Sequence, residues 1–342
     1  MPASTLLTRK QLPLLRGVSR SFYLTIRLLP PALQGPIAVG YLLARATDTV
    51  ADTTAQPAAE RLALLSGLAQ EIQSPAGSLQ ALQSLLNQFA RHQTDPHERA
   101  LMQALPDCLP LLHALAPDDQ ASVRWVLGHI TRGQVLDVQR FGQGPAALAT
   151  EFELDDYTWL VAGCVGEFWT ELCERHLPGF ATQSADAMRL AGRAYGMGLQ
   201  RLNILRDAGA DLAAGRCYLP AARLTPLGLS PEQLRQAAHT GDAAALQLLA
   251  PLWGEYLQQT HTQLSEGLHY SQCLNSRRLR LASALPALIG ARTVALLRQT
   301  GPQALTQRVK MPRHEMRALL WRLLWRLASP HALDREFQRL SQ

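Results

Sequence analysis

The sequence predicts an all-α protein, and three observations lead to that prediction. Leu and Ala dominate the 342 residues, and apolar residues recur at spacings of three and four along almost the whole chain, which is the period of a helix with one buried side. Alternating runs of β-branched residues, which would indicate strands, are nearly absent. Pro, Gly and polar residues cluster between the apolar segments, where they interrupt helices.

The helical segments and the breaks between them can be placed in order. The clearest helical periods are those of Ala58–Gln73, Ser78–Gln93, Asp186–Arg206 and Pro231–Ala250. Breaks are expected at Pro30–Pro31, Ser74–Gly77, Gln143–Pro145, His176–Gly179 and Thr225–Ser230. No internal repeat of constant period is visible, and nothing in the composition requires a split. The sequence therefore predicts a single helical domain over residues 1–342.

Composition indicates a globular protein of a reducing compartment. The chain is 47% hydrophobic and 18% charged, which supplies ample material for a core and argues against general disorder. Its five cysteines are scattered and include no CxxC pair, so neither a disulfide framework nor a structural zinc site is expected. The segment MPASTLLTRKQLPLLRG lacks the apolar core of a signal peptide, and no stretch is long and apolar enough to span a bilayer. We expect a cytoplasmic protein, with contact to a membrane surface left open.

The net charge of +6 favours an anionic partner, such as a phosphorylated metabolite, an acidic lipid headgroup or nucleic acid. The basic residues do not form one long run interleaved with aromatic residues, which argues against nucleic acid.

Two pairs of aspartates carry the strongest chemical signal. Asp48 and Asp52 are four residues apart and therefore share one side of a helix. Tyr41 and Arg45 extend that polar stripe by two turns toward the start of the helix. An equivalent stripe later in the chain is formed by Gln200, Asn203, Asp207 and Asp211.

Like charges at this spacing repel each other by a few tenths of a kcal/mol, so a compensating cation is expected. Mg²⁺ prefers oxygen ligands and commonly bridges one or two carboxylates to substrate phosphates. Two such sites facing a common apolar cavity would hold two diphosphates, with hydrocarbon tails lying among Leu, Val and Ala side chains. The pairs alone leave a second reading open, in which each is a solvated helix face or, for Asp52, a helix end.

The residues around the pairs resemble the squalene/phytoene synthase family. The segments that carry the resemblance are Ser19-Arg20-Ser21-Phe22, YLLARATDTVAD at 41–52, VAGCVG at 161–166, GLQRLNILRD at 198–207 and DLAAGRCYLP at 211–220. They occur in the family's order over residues 15–310. The resemblance implies a single isoprenoid-synthase-type helical bundle with a central cavity. It also implies that two allylic diphosphates are joined head to head through a cyclopropyl intermediate, with Mg²⁺ or Mn²⁺.

The resemblance assigns roles by position. Metal ligands would be Asp48, Asp52, Asp207 and Asp211. Diphosphate would be bound by Arg20, Ser21, Arg45, Arg206, Arg216 and Tyr218. Catalytic side chains in the cavity would be Tyr41, Arg45, Tyr157, Gln200 and Asn203.

Three features favour the squalene-type branch: the form DTVAD of the first motif, the LQRLNILRD form of the second, and the C-terminal stretch Ser283–Leu297 followed by Val309–Arg313. In that last segment, Lys310 and Arg313 would bind NADPH for a reductive second step. Two departures bear on the chemistry, the first on how the cyclopropane forms or opens and the second on the reductive step. Leu160 stands where eukaryotic squalene synthases have Tyr, and Pro312 interrupts the basic segment.

The hypothesis is therefore that two farnesyl diphosphates condense to presqualene diphosphate, which NADPH then reduces to squalene. One alternative is a non-reductive synthase making hydroxysqualene, dehydrosqualene or phytoene, from a C15 or a C20 substrate. Another is a catalytically silent family member that serves as a binding or assembly protein. The tail over residues 313–342 carries Trp, Leu and Arg at helical spacing, which fits a membrane-surface helix or a core helix with a cationic flank.

Overall fold

The computed structural model describes residues 11–19, 23, 26–27, 29–325 and 329–342. Helices account for most of them, which confirms the all-α prediction. Their bounds are α1 Gln11–Ser19, α2 Pro31–Asp52, α3 Ala58–Gln73, α4 Gln83–Arg91, α5 Pro96–His113, α6 Pro117–Phe141, α7 Glu151–Thr158, α8 Cys164–His176, α9 Ala185–Ala213, α10 Ala221–Leu224, α11 Pro231–Thr240, α12 Ala243–Cys273, α13 Arg277–Thr300, α14 Arg313–Trp325 and α15 Pro330–Leu340. Two short parallel strands, β1 Ala146–Ala147 and β2 Arg216–Cys217, pair with each other.

The described chain divides into two compact units. Unit 1 contains the residues up to Gln143 together with Glu171–Pro178, and unit 2 contains Gly144–Thr170 and Gly179–Gln342. The single domain and the central cavity expected from the sequence stay predictions. All five cysteines are buried and free.

Unit 1 is organised around α2, which packs against α5 and α6. Proline occupies the first position of this helix, where its fixed φ angle suits a helix start and no backbone donor is lost. The apolar side of α2 is completely covered, since Leu33 and Leu42 are 0% exposed. The helix ends at Asp52, so the first aspartate pair lies in its last turns, at the negative end of the helix dipole.

Unit 2 is organised around α9, which packs against α12 and against a π-helical turn, Trp159–Gly163. The turn approaches α9 closely at Gly196, where a Cβ atom would lie 2.2 Å from the carbonyl oxygen of Ala162. Ser184 caps the start of α9 by accepting a hydrogen bond from the backbone N–H of Ala187. The side of α9 that bears Ile204 and Leu205 is buried.

The structure corrects two helix predictions. The segment Pro231–Ala250 is two helices, because Gly241 has a left-handed φ of 73° and Asp242 caps the start of α12. This combination ends one helix and starts the next within two residues. The segment Ser78–Gln93 begins as a 3₁₀ turn, Leu79–Leu82, before α4 starts. Ala58–Gln73 is a helix with the predicted bounds, and Asp186–Arg206 lies within α9.

One segment differs from the expectation that nothing could span a membrane. Residues Arg277–Leu305 are long and apolar enough to do so by length and composition, with a mean hydropathy of 1.3 in the most apolar stretch. Half of that stretch is buried inside the protein. A core helix passes the same test, so the segment is weak evidence for a membrane span.

Candidate active site

In unit 1, the predicted polar stripe is present on α2. Tyr41 donates a hydrogen bond from its hydroxyl to the backbone oxygen of Val18 at 3.2 Å, which fixes the ring against the end of α1. One turn later, Nη1 of Arg45 donates to Oδ2 of Asp48 at 2.6 Å. The stripe thus presents a phenol, a guanidinium and two carboxylates in successive turns.

Arg45 has a second acidic partner, which sequence reasoning missed. Its Nη2 atom donates to Oε1 of Glu98, a residue in the first turn of α5. The Nε atom of the same guanidinium is buried and has no hydrogen-bond acceptor among the residues that the structure describes. The sequence offered no cue, because an acidic residue in the first turn of a helix is common for reasons of the helix dipole alone.

The surroundings of Asp48 raise the pKa of its carboxyl group. Burial and, next in size, the charge of Asp52 raise the pKa of Asp48 to about 6, against the opposing effect of Arg45. Without a metal ion, the two carboxylates therefore disfavour each other's ionisation, as expected for like charges at this spacing. A divalent cation would remove that cost.

In unit 2, the second stripe lies on α9. Asn203 and Gln200 contact each other, with Nδ2 of Asn203 donating to Oε1 of Gln200 at 3.4 Å. Asp207 accepts two hydrogen bonds from the adjacent Arg206, at 3.1 Å from Nε and 2.5 Å from Nη2. Arg206 and Asp207 are each about one third exposed, so both remain accessible to a charged ligand.

Asp211 is paired with Arg216. Its Oδ1 atom accepts hydrogen bonds from Nη2 of Arg216 at 2.7 Å and from Nε at 3.1 Å. Arg216 belongs to β2, and the pairing of β2 with Ala146 in β1 holds its backbone in place. The Asp211 side chain is 15% exposed, which makes it the more sheltered member of the second aspartate pair.

Tyr157 and Tyr218 come together in unit 2. Their hydroxyl groups are 3.4 Å apart and their rings stack with centroids 5.0 Å apart and planes inclined by 24°. Both side chains are buried. Leu160, the departure noted in the sequence, is fully buried in the π-helical turn.

The remaining predicted residues divide into two groups. Arg20 and Ser21 lie outside the described residues. Lys310 and Arg313 are both exposed. Lys310 lies in the loop before α14, and Arg313 is the first residue of that helix.

The carboxylate pairs fit a metal ion that the substrate helps to hold. Within the part of the chain that the structure describes, no group of three or more His, Cys, Asp and Glu side chains could bind a metal by itself. Each aspartate pair offers two carboxylates, the number that Mg²⁺ uses when substrate phosphates complete its coordination. Guanidinium groups now neutralise Asp48 and Asp211, which shows that both positions accept positive charge.

A buried arginine that the sequence analysis did not single out fixes the second stripe. Arg201 is 8% exposed, and it donates to Oε1 of Gln259 at 2.7 Å and to Asp155. These contacts connect α9 to α12 and to α7, the helix that carries Tyr157. Arg201 directly follows Gln200 in the sequence. A single arginine at that position does not by itself indicate a buried ion pair.

Comparison with known proteins links these features to one family. Residues 15–315 match the model of the squalene/phytoene synthase family. The chain is 28% identical to squalene synthase ERG9 of Saccharomyces cerevisiae over 207 residues, which are 60% of this chain and 44% of the yeast protein. It is 24% identical to squalene synthase of Cyberlindnera jadinii over 307 residues, 87% of this chain and 63% of that protein. The bifunctional lycopene cyclase/phytoene synthase of Phaeosphaeria nodorum is 29% identical over 223 residues, 64% of this chain and 35% of that protein.

The chain thus spans less than two thirds of the length of these relatives.

Solved structures show the same fold. A ligand complex of TcSQS has a TM-score of 0.76 at 19% identity and covers 98% of this chain and 90% of its own. A ligand complex of a dehydrosqualene synthase has a TM-score of 0.63 at 21% identity, with coverage of 95% and 98%. Squalene synthase HpnC from Alicyclobacillus acidocaldarius has a TM-score of 0.58 at 20% identity, with coverage of 87% and 98%.

Proposed function

Because the chain belongs to the squalene/phytoene synthase family, we propose that it is a prenyltransferase that joins two prenyl diphosphates head to head. The observation that carries this proposal is the pair of acidic stripes, each of which combines two aspartates with an arginine within hydrogen-bond distance. Such a set suits a diphosphate held through Mg²⁺ and guanidinium groups together.

The aspartates and arginines divide the work of diphosphate binding. Asp48 and Asp52 in unit 1, and Asp207 and Asp211 in unit 2, would each hold Mg²⁺, with Mn²⁺ as an alternative. When bound, the metal neutralises the negative charge that develops as diphosphate leaves. The diphosphate oxygens would also accept hydrogen bonds from Arg45, Arg206 and Arg216. Preorganised donors of this kind stabilise the negative charge that develops on a leaving group.

The remaining side chains suit an allylic cation intermediate that must not react with the protein around it. The stacked rings of Tyr157 and Tyr218 present aromatic faces, which attract positive charge. The amides of Gln200 and Asn203 supply dipoles without a strong nucleophile. Arg20 and Ser21 would contribute from the N-terminal segment that resembles the family's diphosphate-binding segment.

The finer proposal is a squalene-type reaction, in which two farnesyl diphosphates give presqualene diphosphate and then squalene with NADPH. The DTVAD form of the first motif and the squalene synthases among the relatives support it. Lys310 and Arg313 are exposed cations three residues apart, and such a pair suits the phosphate groups of NADPH. A second candidate is a non-reductive reaction giving hydroxysqualene, dehydrosqualene or phytoene. The buried leucine at 160 and the phytoene synthases among the relatives favour it.

The test is incubation of the purified protein with Mg²⁺ and either the C15 or the C20 diphosphate, with and without NADPH, followed by product analysis. Squalene formed only with NADPH supports the squalene-type reaction. A hydrocarbon or alcohol formed equally well without NADPH supports the non-reductive candidate. Absence of any condensation product from either substrate would contradict the prenyltransferase proposal and favour a silent family member.

A membrane surface is the proposed second partner, on the evidence of α14. The side of this helix that we call the basic–aromatic face consists of Arg313, Arg317, Leu320 and Trp321, all exposed, with Trp321 at 67%. Leu319 and Leu323, on the other side, are buried. Basic residues bind anionic headgroups, and Trp partitions to the membrane interface. This contact would let an apolar product pass into a bilayer.

A further inference from the structure

Glu98 reaches Arg45 from a different helix. It lies in the first turn of α5, 53 residues after Arg45 in the sequence, and its Oε1 atom accepts a hydrogen bond from Nη2 of Arg45. Nη1 of the same guanidinium donates to Asp48 at 2.6 Å. Arg45 is therefore shared between a carboxylate of the first aspartate pair and a carboxylate outside that pair.

This sharing bears on what happens when Asp48 binds a cation. A metal ion and the guanidinium would compete for the oxygen atoms of Asp48, and the two positive charges would repel each other. Arg45 would then lose its contact with Asp48. An arginine without another anionic partner would be free to leave the stripe, since a long side chain gains conformational entropy when it is released.

We propose that Glu98 is a positioning residue for Arg45. It keeps the guanidinium beside the first aspartate pair when Asp48 binds the metal, so that Arg45 can donate a hydrogen bond to the substrate diphosphate. This role rests on the proposed function. Once Nη1 of Arg45 no longer donates to Asp48, it is a donor that a diphosphate oxygen could take up while Nη2 stays with Glu98.

The position of Glu98 suits this task. It lies in the first turn of α5, where the helix dipole interacts favourably with a carboxylate. Its side chain is 21% exposed, against 33% for Arg45, so the ion pair is partly sheltered from solvent screening. Asp95 caps α5 by accepting from the backbone N–H of His97, which fixes the turn from which Glu98 projects.

The alternative is that Glu98 and Arg45 form an ordinary ion pair that only ties α5 to α2. A double-mutant cycle separates the two roles. The measurement is calorimetric binding of inorganic pyrophosphate in the presence of Mg²⁺ to the full chain, without prenyl substrate. The proteins are the unaltered chain, Glu98→Gln, Arg45→Met and the double variant. Glu315→Gln is the matched control, because Glu315 forms a comparable pair between helices with Arg292 at 2.7 Å, and neither residue belongs to an acidic stripe.

We expect Glu98→Gln to weaken binding about tenfold and Arg45→Met to weaken it at least as much. The double variant should bind no more weakly than Arg45→Met, because Glu98 acts through Arg45. Glu98→Asp should recover part of the loss, and Glu315→Gln should bind like the unaltered chain. In turnover, Glu98→Gln should raise KM for the prenyl diphosphate more than it lowers kcat. Thermal unfolding of each variant checks that it is folded.

Unchanged binding by Glu98→Gln would overturn the positioning role and leave the proposed function standing. Additive losses in the double variant would overturn it too, because Glu98 would then act independently of Arg45. If the unaltered chain bound no pyrophosphate in the presence of Mg²⁺, both the proposed function and this role would be wrong.

Discussion

Tyr157 and Tyr218 stack face to face across 61 residues of sequence, with their hydroxyl groups 3.4 Å apart. One comes from α7 and the other follows β2 directly, so the contact joins the helix before the π-helical turn to the segment after the second aspartate pair. A stacked pair of this kind offers a rigid aromatic face, and we expect it to contribute to catalysis through its rings more than through its hydroxyl groups.

Substitution of Tyr218 tests that expectation. Tyr218→Phe should keep the stack and most of the activity, and it should cost about 1 kcal/mol of stability or less, since the hydrogen bond lost is long. Tyr218→Leu should lower kcat about tenfold or more, because the aromatic face is lost. Rates with Mg²⁺ and prenyl diphosphate, together with thermal unfolding, measure both effects. Equal losses in the Phe and Leu variants would instead assign the role to the hydroxyl group.

Removing one carboxylate from either pair should stop the reaction. Asp48→Asn and Asp207→Asn should each lower turnover by about 10²–10³-fold, the size expected when one preorganised electrostatic group is lost. Neither should unfold the protein, and Asp48→Asn should stabilise the metal-free form because it removes a like-charge repulsion. The measurements are product formation and thermal unfolding. Asp334→Asn, an exposed aspartate on α15, is the control and should retain full activity. Substantial turnover in either active-site variant would refute the metal-binding role.

The two stripes could be predicted from the sequence because their logic is local. Residues four apart share a helix side wherever the helix packs, so Asp48, Asp52, Asp207 and Asp211 fall where the pattern puts them. The pairing of Arg45 with Glu98 depends on how α2 packs against α5, and that packing is tertiary information which no spacing contains. The break at Gly241 was missed for a different reason: the apolar period continues through it, although Gly241 followed by Asp242 is a helix-stop and helix-start signal in the sequence.

The acidic pair in unit 1 should make stability depend on pH. The pKa of Asp48 is raised from 3.8 to about 6, so the folded chain binds this proton more tightly than the unfolded chain does. The metal-free protein therefore gains stability from protonated Asp48 at low pH and loses it as the pH rises from about 4 to about 6. Asp48→Asn should not show this loss, so the difference in unfolding free energy between the two proteins should change over that interval.

Mg²⁺ should offset this loss of stability above pH 6. A cation at Asp48 competes with the proton, so Mg²⁺ with inorganic pyrophosphate should raise the unfolding temperature more at pH 7.5 than at pH 5.5. Differential scanning fluorimetry of the unaltered chain at the two pH values measures the shift, and the Asp48→Asn variant shows how much of it depends on this carboxylate. A shift that is equal at the two pH values would contradict proton competition at Asp48.

The basic–aromatic face of α14 should bind anionic membranes. Its neighbourhood supports this, because residues 306–322 contain a single acidic residue, Glu315, and that carboxylate is engaged by Arg292. Arg308 and Lys310 in the preceding loop are exposed as well. Each basic residue near an anionic surface contributes about 1 kcal/mol. In vesicle co-sedimentation, the full chain should bind phosphatidylcholine vesicles containing phosphatidylglycerol, bind pure phosphatidylcholine weakly, and lose binding at high salt.

Variants on this face separate the charge from the aromatic anchor. Arg317→Glu should weaken binding to the anionic vesicles in a salt-dependent way, while Trp321→Ser should weaken it at every salt concentration, because the indole contributes apolar burial at the interface. Phe152→Ser is the matched control, since Phe152 is also highly exposed at 77% but lies on α7. Turnover of a short-chain, water-soluble substrate should be unchanged in all three variants, because none of these residues belongs to the acidic stripes. Binding that is equal in Trp321→Ser and Phe152→Ser would show that the aromatic anchor plays no part, and the face would then be an ordinary solvated helix surface.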